Sequence, residues 1–122
     1  MGMDFDVRRL DCEWQAGEII YKETELLYMR KPYHLANCCM MVANRDDLGT
    51  YGNYDISTFQ PYPFTAEDLH KVLALALYYD RMCENVEWDN EGGARKEEYI
   101  EKWVKLIKDV ENGNGWAIIE WG

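Results

Sequence analysis

Residues 65–83, TAEDLHKVLALALYYDRMC, constrain the chain more than any other stretch, because they form its longest apolar segment and carry their own start signal. The spacing predicts a helix. Thr65 is placed to cap the first turn through its hydroxyl, and Asp68, three residues on, stands where the reciprocal partner of a capping box belongs. Glu67 and Asp68 also put negative charge at the positive end of the helix dipole. From Val72 to Tyr79 nearly every residue is apolar, and the softer row Glu67, Lys71, Ala74, Tyr78, Arg81 recurs at helical spacing. So wide a stripe predicts a buried helix covered from more than one side.

The 122 residues are expected to form a single domain (1–122), with five tryptophans and nine tyrosines for its core. The longest apolar run is too short to span a bilayer, and the charged start MGMDFDVRR lacks the pattern of a signal peptide, so a cytoplasmic protein is expected. The cysteines agree. Cys38 and Cys39 are adjacent, Cys12 and Cys83 lie far off, and no spacing resembles a secreted disulfide framework, which predicts free thiols.

The segments before the central helix read mainly as extended. Residues 4–15, DFDVRRLDCEWQ, alternate loosely and fit a strand with a bulge or two short strands. The stretch GEIIYKETELLYMRKP fits both periods, but its Ile, Thr and Tyr content and the lack of an N-cap near Gly17 favour a strand ended by Pro32. LANCCMMVAN, RDDLGTYGN and YDISTF read as a hairpin whose first arm, Cys38 to Val42, is an inner strand apolar on both phases. QPYPF then forms an extended connector.

After the central helix, ENVEWDNEGG is an acidic connector, and residues 94–111 predict an amphipathic helix with Tyr99, Ile100, Trp103, Leu106, Ile107 and Val110 on its apolar face. Asn112-Gly113-Asn114-Gly115 predicts a left-handed cap and a tight turn, and WAIIEW closes the chain as a strand. The fold class is therefore α+β. About five antiparallel strands, the C-terminal one included, pack against helices near 65–83 and 94–111.

No motif names a reaction. Ser57 is the only serine and no histidine stands in a recognisable relation to it, so nothing in the chain asks for an enzyme and the reading leans to a binding protein. Charge is the strongest compositional fact: 23 acidic residues against 13 basic ones, a formal net of -10. That balance argues against direct nucleic-acid binding, which needs Lys and Arg on the phosphates, and favours a basic protein surface as partner. The bland alternative is that excess acid only keeps an aromatic-rich protein soluble. A tyrosine-rich stretch, YGNYDISTFQPYPF, either wraps the core as a lid or supplies candidate anchors in Tyr51, Tyr54 and Tyr62, with Asp46, Asp47 and Asp55 as an acidic rim. The sequence thus predicts a small inhibitor-type protein, physically akin to immunity proteins or nucleic-acid mimics, that occupies a basic site.

The alternative is a ligand- or divalent-metal-dependent module. Counting from Glu87, carboxylates fall at the first, third and fifth places (Glu87, Asp89, Glu91), Gly92 at the sixth and Glu98 at the twelfth, a spacing that resembles the EF-hand calcium loop over twelve residues. Such a loop implies a divalent cation as cofactor. The chain departs from the pattern in Glu87 and Glu91, in Ala94, and in Arg95, which would put a cation inside the coordination sphere. A zinc or redox site from Cys12, His34, Cys38, Cys39, His70 and Cys83 lacks the spacing of a zinc ribbon, and these residues read as buried small side chains or, for His70, a surface residue.

Overall fold

The computed structural model describes residues 3–44, 62–89 and 95–122. Among them the chain runs β1 (Asp4–Gln15), β2 (Glu18–Arg30), α1 (Tyr33–Ala43), β3 (Tyr62–Thr65), α2 (Ala66–Met82), α3 (Lys96–Glu111) and β4 (Trp116–Trp121). The strands form one antiparallel sheet in the order β2-β1-β4-β3. The α+β expectation holds, with four described strands and three helices.

The bulge read from residues 4–15 belongs to this sheet but sits on the partner strand. Val7 pairs with Leu27 and Arg8 with Glu25, so Leu26 is the extra residue. Before it, Phe5, Val7, Leu27 and Met29 point to one face, where they are buried with Phe64, Ala117, Ile119 and Trp121. All of these residues alternate with exposed or half-buried ones, as a sheet with one covered face requires. The cover is α3. Its predicted apolar row is buried at Tyr99, Trp103, Leu106, Ile107 and Val110, with the Trp103 ring 5.9 Å from Phe5, which in turn stacks on Trp121 at 5.4 Å. Trp103 also donates from Nε1 to the Leu69 carbonyl at 3.0 Å, so the bulky ring satisfies its one polar group while tying α3 to α2.

The central helix forms as its sequence dictates. Asp68 N–H donates to Thr65 Oγ1 at 3.1 Å and Thr65 N–H donates to Asp68 Oδ2 at 3.0 Å, the complete capping box. The softer row from Glu67 to Arg81 is exposed throughout, as expected. The helix is covered from more than one side, by α1, α3 and β3, with Leu69, Val72 and Ala76 buried, while Leu77 and Met82 as well as Tyr78 reach solvent.

The larger correction is at Cys38 to Val42, which is not an inner strand but part of α1. An apolar run on both phases is equally compatible with a buried helix, and here Ala36, Met40, Met41 and Ala43 supply good helix formers. Asn44 ends it with a left-handed φ of 54°, its N–H reaching the carbonyls of Met40 and Met41. The expected second arm, YDISTF, and the turn RDDLGTYGN lie outside the described residues. QPYPF contributes a strand rather than a plain connector: Tyr62–Thr65 pairs with β4, and Pro63 is tolerated because β3 is an edge. At the end of α3, Asn112 stays right-handed and Gly115 takes the positive φ of 86° instead. A Cβ at Gly113 would crowd Arg9 Nη1 and the Asp109 carbonyl, each at 3.2 Å.

Candidate protein-binding face

The register of β1 assigns each side chain to a face. The odd residues Phe5 and Val7 enter the core, so Asp4, Asp6 and Arg8 stand on the opposite face, with their partners Arg30, Tyr28 and Glu25 on β2 and Glu120 and Ile118 on β4. This outer face carries more acid than base, and its bases are engaged. Arg8 is ringed by Asp6 at 3.8 Å, by Glu23 at 3.4 Å and by Glu120 in direct contact, while Arg30 lies 3.9 Å from Asp4. The Tyr28 hydroxyl donates to Asp4 Oδ1 at 2.5 Å, and that bond holds its phenol above its usual range. Glu25 is likewise raised, by its hydrogen bond to Asp6 and by that carboxylate's charge. A carboxylate raised by its neighbour in this way marks a concentrated negative potential. An open depression of about 290 Å³ lies in this face, lined by Asp4, Asp6, Tyr28, Glu120, Trp121 and Gly122.

Farther out, beyond the reach of β4, the same face continues on the hairpin with Leu10, Cys12 and Trp14 beside Tyr21 and Ile19. Trp14 is 70% exposed and Tyr21 62%. The hairpin turns at Ala16 and Gly17, both with positive φ (50° and 82°), the type I′ geometry that matches strand twist.

A second polar cluster lies on the helical side and is structural. Asp80 of α2 accepts from Trp88 Nε1 at 2.8 Å and pairs with Lys96 Nζ at 2.5 Å, which holds its carboxyl below the ordinary carboxylate value, mainly through the Lys96 bond. His34 donates from Nε2 to the Ala76 carbonyl at 2.9 Å and meets the Trp88 ring edge-on at 4.8 Å. These contacts pin the connector after α2 onto α1, α2 and α3 around fully buried Trp88 and Asp89.

Compared with protein-family models, with curated proteins and with solved structures, the chain matches none. Its function is therefore read from its own geometry.

Of the residues singled out by sequence, Tyr62 lies in β3, half-buried, its ring edge-on to Phe64 at 5.5 Å. Asp46, Asp47, Tyr51, Tyr54 and Asp55 lie outside the described residues, as does Glu91. In the acidic connector Glu87 is exposed, Asp89 is fully buried and Glu98 pairs with Lys102 at 3.0 Å. Among the described residues no three His, Cys, Asp or Glu side chains gather as a metal-holding group. All four cysteines are free. Cys38 and Cys39 are buried as expected, and burial pushes the Cys38 thiol up to about 11 and Cys39 well above its ordinary value. Cys12 and Cys83 correct the expectation by being exposed. His70 is on the surface, 2.6 Å from Glu111.

Sequence reasoning missed the outer sheet face. Its acids are scattered over β1, β2 and β4, and only the register collects them; the alternation Asp4, Asp6, Arg8 was the available signal.

Proposed function

We propose that the chain is a non-enzymatic binding protein of the inhibitor type, which uses an acidic, tyrosine-bearing face to occupy a basic site on a partner protein. One observation carries the reading: the outer face of β2-β1-β4 bears Tyr28 among Asp4, Asp6, Glu25 and Glu120, with both of its arginines already paired to its own acids. A face of this kind presents uncompensated negative charge around an aromatic anchor, the combination that steers a basic partner and then holds it. Asp46, Asp47 and Asp55, with Tyr51 and Tyr54, would extend the same chemistry along the chain. The partner is a protein with a basic cleft or patch; the net charge of -10 disfavours nucleic acid.

Affinity capture from the native host identifies the partner, and stopped-flow mixing of the purified pair tests the reading. Association slows steeply with added salt while dissociation changes little, because exposed charges act on the encounter over a Debye length of about 10 Å at 0.1 M. A salt-independent association rate removes the electrostatic basis.

A further inference from the structure

Beyond Arg8, the last β1 residue that β4 pairs, the β1–β2 hairpin is a two-stranded ribbon exposed along β2 from Glu18 to Glu23. Such a ribbon is marginal in water on its own. This one nevertheless displays Ile19, Ile20 and Tyr21 in succession, all exposed. Its two edges differ. On the β1 edge the Leu10 carbonyl accepts from the Asn114 side chain at 3.4 Å. The β2 edge pairs with no other described strand, and its 13 residues include no proline.

The turn decides which main-chain groups face that open edge. A two-residue type I′ turn makes the flanking residues, Gln15 and Glu18, a hydrogen-bonded pair, and such pairs alternate along an antiparallel ladder. Glu18, Ile20 and Lys22 therefore turn their N–H and C=O groups toward β1, and Ile19, Tyr21 and Glu23 turn theirs outward.

We propose that this edge pairs antiparallel with the same edge of a second copy of the chain, about a two-fold axis at Ile20. That register sets Ile19 opposite Tyr21 of the second copy as a hydrogen-bonded pair, Ile20 opposite Ile20, and Glu18 opposite Lys22. From Glu18 to Lys22 every apolar residue meets an apolar one and each charge meets its opposite, each unlike pair occurring twice by symmetry, while Glu23 faces Gly17 of the turn. Neighbouring registers lack this fit. Centred on Tyr21, the pairing sets Ile20 against Lys22 and Ile19 against Glu23; centred on Lys22, it sets Ile19 against Glu25 and Tyr21 against Glu23. Trp14, the in-register neighbour of Ile19 on β1, extends the apolar row on the outer face across the joined strands.

Sedimentation velocity on the full chain tests the pairing. Wild type is a reversible dimer. Glu18→Lys and Lys22→Glu, each alone, place like charges opposite one another twice and weaken the dimer at least about tenfold. Mixed in equal amounts, the two variants pair with each other, since the introduced lysine then faces the introduced glutamate and the remaining Glu18 faces the remaining Lys22. Association returns to within about threefold of wild type. Tyr21→Pro takes away the ring opposite Ile19 and an outward N–H while sparing the hydrogen bonds to β1, and gives a monomer; should it misfold by circular dichroism, the charge pair decides alone. A wild type that stays monomeric at about 1 mM overturns the proposal, as does a mixture that associates no better than its components or a dimer that survives folded Tyr21→Pro.

Discussion

The two ends of the β1–β2 hairpin are one continuous ladder, yet they live in different surroundings. At the base, Phe5, Val7, Leu27 and Met29 are sealed under α3 and the ladder is continued by β4. At the tip, Trp14, Ile19 and Tyr21 are equally apolar and stand in water. The bulge at Leu26 marks the change. Hydrophobicity alone thus fails to place a residue in this fold; what decides is whether a helix reaches that part of the sheet. The base is sealed in the core, whereas the tip is left to solvent.

The largest test of that division compares two tryptophans. Trp103→Ala removes a fully buried ring and its bond to Leu69, and should cost about 3–5 kcal/mol in urea unfolding. Trp14→Ala, at 70% exposure, should cost under about 0.5 kcal/mol in the monomer. Equal losses would erase the distinction between base and tip. Next in size is the start of α2: Thr65→Ala removes the hydroxyl that accepts from Asp68 N–H and should lower stability by about 1 kcal/mol without altering the outer face.

Acid sharpens the comparison, because the helical side holds a carboxylate that prefers its charge and the outer face holds one that resists it. The Asp80 pKa is lowered in the folded state, chiefly by Lys96 and then by Trp88, so its contribution is present above the ordinary value of 3.8 and is lost as pH falls through the lower folded value. Glu25 is raised by Asp6, so the folded state binds its proton more readily, and acid relieves repulsion there down to the ordinary value of 4.5 and no further. Urea midpoints of wild type and Asp80→Asn, followed from pH 6 to pH 2, should therefore converge at the acid end. An Asp80→Asn curve parallel to wild type would show that the Asp80–Lys96 bond contributes nothing on folding. The smallest effect is dynamic: the outward amides of Ile19, Tyr21 and Glu23 should exchange with solvent faster than those of Phe5 and Val7 in dilute, monomeric protein, as hydrogen-exchange NMR would record.

Much of the base was legible in the chain. The Thr65 and Asp68 cap, the apolar row from Tyr99 to Val110 and the closing strand WAIIEW are local patterns whose period leaves one solution. The segment 33–43 resists such reading because Leu35 to Val42 is largely apolar on both phases, and the helical signal lies in Ala, Met and the Asn44 cap instead. The outer face was hidden for a different reason. Asp4, Glu25 and Glu120 are far apart in sequence and become neighbours only through three strands and a bulge, whereas the acids of residues 46–55 and 87–98 are conspicuous because they cluster along the chain.

The central claim, that the outer sheet face meets a basic partner, is tested most directly by capturing proteins from the native host with three baits and comparing them by mass spectrometry. The baits are wild type, a variant with Asp4, Glu23 and Glu25 changed to lysine, and one with Asp46, Asp47 and Asp55 changed to lysine. Wild type should recover a basic protein, and the first variant should lose it while staying folded. Recovery of the same protein by the first variant, or of nucleic acid alone by wild type, would contradict that claim.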